Sequence, residues 1–221
     1  MSSLILTNIS VWIDTFVIFF QSELAPQREY PIVLNSCNNL PNKFIIYNTE
    51  QLTRANCLNH IIELSKNNSC MEIWDYSIAN IEILLKHNIR ARHVPPKMPE
   101  PYLLKLQSFR TVGQTYDVGF NGSISKKRID ILNSISERGF KVYLINGVFG
   151  EERDKELAKC KILLNIHYAN DYQVFESARC EPWLAIGVPV ISENSLDNDP
   201  RCINVSYNDI VNKTIEVLRS L

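Results

Sequence analysis

The stretch from residue 161 to residue 193, KILLNIHYANDYQVFESARCEPWLAIGVPVISE, constrains this chain more than any other, because it reads as one strand, helix, strand unit with its polar residues gathered at one end. Residues 161–166 form a short apolar run rich in Ile and Leu, which suits a strand buried on both faces of a parallel sheet. The run stops at Asn165, His167, Asn170 and Asp171. Across 174–186 the apolar positions recur at helical spacing, and Gly187 follows where a helix C-terminus favours a left-handed residue. Residues 188–191 make a second buried strand. In such a unit ligands lie beyond the carboxyl ends of the strands, near the N-terminus of the helix. His167, Glu176 and Arg179 fall beside any such ligand, and Ser192 and Glu193 leave the next strand on the same edge.

Glu176 and Arg179 are three residues apart and project from one helix face, as does Cys180. An ordinary surface ion pair of this spacing is worth about 0.2–0.5 kcal/mol. At a strand tip the same pair has a second use: a carboxylate can accept both hydroxyls of a ribose or sugar, and a guanidinium can grip a phosphate with paired hydrogen bonds.

The rest of the chain repeats the alternation. Strands are expected at 16–20, 31–34, 44–47, 71–74 and 91–94, with helices at 53–65 and 78–87. Further strands are expected at 117–120, 141–145, 161–166, 188–191 and 202–205, with helices at 126–138, 153–160, 174–186 and 208–221. Alternation predicts an α/β fold of two Rossmann-like lobes, residues 1–100 and 114–221, whose parallel sheets face each other across a cleft. All seven glycines lie at or after Gly113, so the first lobe has no glycine-rich phosphate loop. The intervening 95–113, PPKMPEPYLLKLQSFRTVG, is proline-rich and reads as a connection followed by a short helix.

Composition narrows the partners. A net charge of −1 provides no general basic field for duplex nucleic acid or an anionic membrane. A hydrophobic content of 45% over 221 residues supports real cores. The six cysteines are scattered without a CxxC, which favours reduced thiols in a cytoplasm over disulfides or a zinc site. The apolar run LILTNISVWIDTFVIFF is interrupted by Asn8, Asp14 and other polar residues and lacks a basic flank. It reads as buried secondary structure rather than a membrane segment or signal.

Four further strand tips carry candidate chemistry. After 117–120 come Asn121, Gly122 and Ser123, followed by Lys126, Lys127 and Arg128, which suit a pyrophosphate or simply open a solvated basic helix. The next strand ends at Asn146 and Gly147, where a base or ribose would fit. In the first half, Tyr47 leads into Asn48, Thr49, Glu50 and Gln51, and Trp74 leads into Asp75, Tyr76 and Ser77. Glu50 and Asp75 are candidate acceptor-side carboxylates, while Thr49 or Ser77 would cap the following helix. No GxGxxG is present, which disfavours a dinucleotide enzyme.

These motifs together, IIYNTEQL and EIWDYSIANI in the first half with DVGFNGS, KILLNIHY, DYQVFESARC and GVPVISE in the second, resemble the compact GT-B-type nucleotide-sugar glycosyltransferases of giant viruses and some bacteria. The resemblance covers nearly the whole chain. It implies transfer of a glycosyl group from a nucleoside-diphosphate sugar to a hydroxyl of a carbohydrate acceptor, without a bound metal or other cofactor. The second lobe would hold the donor through Glu176, Arg179 and the Asn121–Gly122 turn, and a first-lobe carboxylate, Glu50 before Asp75, would serve the acceptor. Related enzymes place a ribose-binding glutamate seven residues before the proline of the last strand; here Pro182 holds that place and Glu181 stands beside it, so Glu176 fits the role better. Asp197, Asn198 and Asp199 imitate the metal-binding acidic motif of the other glycosyltransferase fold, in a loop beside Pro200. The competing reading is a non-catalytic sugar-nucleotide or glycan-binding module with the same two lobes. A methyltransferase is a weaker alternative, since its glycine loop and following acidic residue are not matched.

Overall fold

Two all-parallel sheets organise the computed structural model, which describes residues 32–34 and 42–221. The strand expected at 16–20, the first residue of the one at 31–34, and the reading of the apolar N-terminal run lie outside the described residues. The first sheet comprises β1 (Ile32–Leu34), β2 (Phe44–Asn48), β3 (Cys70–Asp75) and β4 (Arg92–His93), in the order β1-β2-β3-β4. Helices α1 (Ala55–Ser65) and α2 (Ile78–Lys86) cross between its strands. β2 is buried along its whole length, as expected of an apolar strand covered on both faces. Its register sets Tyr47 beside Trp74 and Asn48 beside Asp75, so two polar residues meet at the carboxyl end of the sheet.

The chain then passes through the proline segment into α3 (Glu100–Arg110), with Pro101 in its first turn, where a missing N–H costs nothing. This helix packs on the second lobe: Leu106 is fully buried in that lobe's core, and the Arg110 guanidinium donates to the carbonyl of Cys160 at 2.9 Å.

The second sheet contains β5 (Tyr116–Asn121), β6 (Val142–Ile145), β7 (Cys160–Asn165), β8 (Val190–Glu193) and β9 (Ile203–Val205), in the order β6-β5-β7-β8-β9. Helices α4 (Lys126–Ser136), α5 (Gly150–Leu157), α6 (Ser177–Ala185) and α7 (Ile210–Ser220) complete the alternation. One face buries Leu163, Phe175 and Trp183 with α3, α5 and α6; the other buries Ile131, Ile135, Ile210 and Ile215 from α4 and α7. The fold is α/β with two Rossmann-like lobes.

The helix expected at 174–186 begins instead at Ser177. Val174 is fully buried, but in the first lobe's aromatic cluster with Tyr47 and Trp74, so its apolar character serves contact between lobes rather than a helix face. Gly187 does close α6, with φ +78 and the Val188 N–H donating back to the Trp183 carbonyl at 2.9 Å. No helix among the described residues is long and apolar enough to cross a membrane.

Candidate functional site

Strand order in the second sheet dictates where a crevice opens. β5 and β7 are neighbours, but the chain leaves β5 towards β6 on one side and β7 towards β8 on the other, so their following loops diverge. At that point lies a cleft of about 730 Å³ between the lobes. Asn121, Gly122 and Ser123 after β5, Asn146 and Gly147 after β6, and Glu176 and Arg179 before and within α6 form its second-lobe wall; Glu50, Gln51 and Arg54 belong to the opposite wall. Four arginines against two glutamates line it, leaving two positive charges in excess on a chain of net charge −1.

Arg128 and Arg179 dominate the second-lobe wall. Ser125 caps α4 by accepting from the Arg128 N–H at 3.3 Å, which fixes Arg128 in the first turn and aims it back at the strand tips. Its guanidinium donates to the carbonyls of Ile166 at 2.8 Å and Ser123 at 2.9 Å, and meets Glu176 Oε1 at 3.3 Å. Arg179 donates to Asn165 Oδ1 at 3.1 Å and closes on Glu176 Oε2. Both guanidiniums stand over the Phe120 ring, at 5.1 and 5.7 Å from its centroid, and Arg128 also stands over Tyr168 at 5.4 Å. Such contacts contribute about 0.5–2 kcal/mol each when desolvated.

Burial, then the neighbouring Arg179 charge, pushes Arg128 down to about 10, so it remains a cation at neutral pH. Glu176, only 8% exposed, is therefore the carboxylate that lets two guanidiniums share a buried site. A buried pair of this kind fixes geometry more than it stabilises the fold. Gly122 matters here sterically. A Cβ at its position would lie 3.1 Å from Arg179 Nη2 and 3.4 Å from Arg128 Nη1, and its φ of +151 is one side chains rarely adopt. The Gly122 N–H is itself taken by the Ile145 carbonyl at 3.2 Å, so what the missing Cβ leaves at this tip is room for the two guanidiniums. The arrangement can hold a dianionic or diphosphate group.

The first-lobe wall is built on a polar network. Asp75 accepts from Asn48 Nδ2 at 2.6 Å, from the Ser77 N–H at 2.8 Å and from Asn80 Nδ2 at 3.0 Å. Asn48 and Asn80 each donate also to the Glu50 carbonyl, both at 2.9 Å, and Asn80 Oδ1 takes the Leu52 N–H at 2.9 Å. These bonds clamp the loop after β2 and hold Glu50 at the cleft. Burial pushes Asp75 up to about 7, against its three donors. Glu50 is raised above the usual carboxylate range, first by burial; Arg54, paired at 3.3 Å, opposes the rise and Glu176 across the cleft adds to it.

Several contacts join the walls. Gln51 Oε1 accepts from the Val174 N–H at 2.9 Å, and Thr53 donates to the Asp171 carbonyl at 2.6 Å. The Arg54 guanidinium lies 4.6 Å over the Tyr172 ring. Asp197 accepts from the Ser77 hydroxyl of the first lobe and from the Phe175 N–H of the second, the latter at 2.9 Å.

The structure thus brings Glu50, Asn121, Gly122, Arg128, Asn146, Gly147, Glu176 and Arg179 to one cleft. It places the other expected residues elsewhere. Asp75 is fully buried beneath the loop, and Ser77 is the cap of α2, accepting from the Asn80 N–H at 3.2 Å. Lys126 points outward to Asp130 at 2.7 Å. Glu181 pairs with Arg201 at 2.5 Å and does not line the cleft. Glu193 is tied to Lys127 at 2.5 Å and to the His167 N–H at 3.0 Å, while the His167 ring contacts the Asn194 carbonyl at 3.2 Å. Burial lowers that ring's pKa. Asp197 is engaged between the lobes and Asp199 binds Arg201, so the acidic run is a loop staple. Reading the strand tips missed Arg54, Phe149, Arg153, Tyr168 and Tyr172, all of which line the cleft. The i, i+4 spacing of Phe149 and Arg153 at the start of α5 was the available signal.

Fold and site together define a two-lobed α/β protein with a cation-rich cleft at a sheet switch point. No family model matches the chain. Among curated proteins it is similar to uncharacterized protein L137 of Acanthamoeba polyphaga mimivirus, 34% identical over 189 residues, covering 81% of this chain and 25% of that protein. From the same virus, uncharacterized proteins L138 and L140 are 33% and 34% identical over 187 and 176 residues, covering 80% and 78% of this chain but 21% and 56% of the relatives. The chain thus spans about a quarter of the length of the first relative and about a fifth of the second.

Proposed function

We propose that the protein is a glycosyltransferase that moves a sugar from a nucleoside-diphosphate donor to a hydroxyl of a carbohydrate acceptor. The observation that carries this reading is the opposition, across one cleft, of an arginine-flanked strand tip on the second lobe and Glu50 on the first. The donor diphosphate sits at the Gly122 tip, where Arg128 and Arg179 supply N–H donors and positive charge. As the bond from the anomeric carbon to the diphosphate breaks, negative charge grows on the departing oxygen, and pre-placed guanidiniums stabilise it without reorganising. This step calls on no metal ion. Glu50 takes the proton of the acceptor hydroxyl as its oxygen bonds to the anomeric carbon; a carboxyl raised towards neutrality is better matched to that work than an ordinary one. Glu176 positions the two arginines beside the donor.

Calorimetry with UDP-, GDP-, dTDP- and CDP-sugars, followed by donor hydrolysis and transfer assays on those that bind, tests the reading. Micromolar to millimolar binding with turnover is expected. Binding without turnover, in the presence of varied acceptors, turns the protein into a non-catalytic sugar-nucleotide-binding module, and failure of every nucleotide sugar to bind removes the proposal.

A further inference from the structure

Between Glu82 and Glu100 the chain has no acidic residue and six basic ones, Lys86, His87, Arg90, Arg92, His93 and Lys97. The four Lys and Arg give this stretch +4 on a chain of net charge −1, so the remaining residues together carry −5. All six basic side chains are exposed. The apolar residues that alternate with them turn inward: Ile89 and Ala91 pack against the core that holds Leu84, and Val94 against the one that holds Trp74. The cations therefore form the outer surface at β4, the last strand of the first sheet, whose far edge pairs with no other strand among the described residues.

Among the described residues no acidic side chain pairs with Lys86, Arg90, Arg92 or Lys97. Arg92 makes a ring contact, 5.8 Å over Trp74, which uses the flat of the guanidinium and none of its N–H donors. Two residues apart, Arg90 and Arg92 have Cα atoms within about 7 Å, inside the Debye length of about 8 Å at physiological salt. Their like charges repel, and an anion lying along them removes that cost. The edge also leads to the cleft. β4 runs parallel to β3 with His93 beside Asp75; the Val94 N–H donates to the Asp75 carbonyl at 2.8 Å, and the His93 ring meets the Tyr76 carbonyl at 3.1 Å. Tyr76 lines the cleft. The basic edge thus ends one contact from the site, on the lobe that carries Glu50.

We infer that this edge is a docking lane for an acidic polysaccharide, whose anionic groups meet the cations while a hydroxyl of the same chain reaches the cleft, an inference that rests on the glycosyltransferase reading above. Charge complementarity selects a polyanion over a neutral glycan. Single-stranded nucleic acid is held by aromatic side chains that stack its bases as well as by cations, and the stretch between Glu82 and Glu100 has no Phe, Tyr or Trp. A membrane surface is held by an apolar face beside the cations. Of the large apolar side chains of this stretch Leu85 alone stands exposed, while Ile89 and Val94 pack into the cores. A hydrated acidic glycan needs neither aromatic nor apolar contact, and cations along one open edge suffice for it.

Calorimetry of the intact chain with polygalacturonate, a uronate chain, and with dextran, an uncharged one, tests this. Polygalacturonate should bind at least about tenfold tighter than dextran and lose at least about fivefold in affinity between about 50 and 200 mM salt, as release of its counterions requires. Arg90→Gln combined with Arg92→Gln should bring it to within about twofold of dextran and flatten the salt dependence, each cation removed lowering the slope by about 1. The same variant should bind UDP-, GDP-, dTDP- and CDP-sugars as the wild type does, because the other lobe holds the donor. If it loses its thermal transition, Arg90→Gln combined with Lys97→Gln replaces it and leaves the Trp74 contact in place. Poly(U) or phosphatidylglycerol vesicles bound tighter than polygalacturonate, and released by the same substitutions, overturn the glycan in favour of RNA or a membrane. Equal binding of polygalacturonate and dextran, or a preference that the variants leave unmoved, overturns the lane. With nucleotide sugars still bound, the cations then only guard an open sheet edge and the glycosyltransferase reading stands; with none bound, that reading falls as well.

Discussion

The first lobe ends its strands in Asn48 and Asp75, the second in Asn121 and Asn165, so both sheets bring polar residues to the carboxyl ends of parallel strands. Their fates differ because the strand orders differ. Among the described residues the first sheet runs β1-β2-β3-β4 without a reversal, and its tips close over one another: Asn48, Asp75 and Asn80 are fully buried and bond among themselves. The second sheet reverses between β5 and β7, its loops diverge, and the tips open onto a cleft where cations gather. Polar strand ends are thus either a scaffold or a site, and topology decides which. The first lobe uses its network to present a single carboxylate, Glu50, to the site that the second lobe opens.

The largest effect should come from removing Arg128. Its guanidinium is 3% exposed and holds two carbonyls and Glu176, so Arg128→Ala leaves a buried carboxylate with one partner fewer and should cost about 3–5 kcal/mol. Urea unfolding should show this as a lower midpoint with an unchanged slope. Arg179→Ala, at 13% exposure and with fewer backbone bonds, should fold while losing the charge-assisted bonds to the donor, about 1.5–3 kcal/mol of nucleotide affinity. Equal stability losses in the two variants would contradict the idea that Arg128 belongs to both scaffold and site.

A second contrast separates the two first-lobe carboxylates. Glu50→Gln should lower transfer by at least about tenfold, within the 10²–10⁴-fold range general-base help supplies, with donor affinity unchanged because the other lobe holds the donor. Asp75→Asn should act through structure, since an amide turns one acceptor into a donor facing Asn48, Asn80 and the Ser77 N–H. Steady-state kinetics with a melting curve for each variant separates the two. If Asp75→Asn abolishes transfer in a fully stable protein while Glu50→Gln is silent, the roles are reversed.

Much of this arrangement was legible in the residues. The apolar runs at β2, β5, β7 and β8, the proline connection and the clustering of Asn121, Gly122, Glu176 and Arg179 follow from spacing alone, because buried parallel strands and helix starts leave strong local marks. What could not be read was anything decided by contact between distant segments. Val174 and Phe175 look like a helix start, yet Val174 belongs to the first lobe's core and is held by Gln51. Asp75 and Glu50 look alike as carboxylates after buried strands, and only the pairing of β2 with β3 shows one buried against Asn48 and the other carried past it. The sequence pairs Glu176 with Arg179 three residues on, but not with Arg128, which is far away in sequence and meets the same carboxylate.

Asp75 also gives the first lobe a pH dependence that the second lobe's site lacks. Its folded-state pKa is raised from 3.8 to about 7 by burial, so the native protein binds that proton more tightly than the unfolded chain. The contribution to stability is therefore fully present below about pH 4 and is lost as pH rises through about 7. Each tenfold gain in proton affinity is worth about 1.4 kcal/mol, so the whole contribution amounts to roughly 4 kcal/mol at most. Unfolding midpoints taken between pH 4 and 8 should fall across that window in the wild type, and Asp75→Asn should remove most of the slope. An identical slope in both proteins would place the titration elsewhere.

The smallest expected effect concerns how firmly the two lobes are joined. Ser77 has two duties, capping α2 through the Asn80 N–H and reaching Asp197 in the other lobe. Asp197 has one, to bridge Ser77 and the Phe175 N–H. Ser77→Ala should cost about 1–2 kcal/mol, because it removes the cap as well as the bridge, and Asp197→Ala about 1 kcal/mol. Since they are two ends of one bond, the double variant should cost less than the sum, with a coupling of at least about 0.5 kcal/mol. Glu50 depends on this joint, because the loop that carries it also holds Val174 through Gln51, next to the residue that Asp197 grips. Loosening the bridge should therefore reduce transfer more than it reduces nucleotide affinity, whose determinants all lie in the second lobe. Additive stability losses together with unchanged transfer in Asp197→Ala would mean that the lobes are set by their apolar contact at Val174 alone, and that the hydrogen bonds across the cleft only follow it.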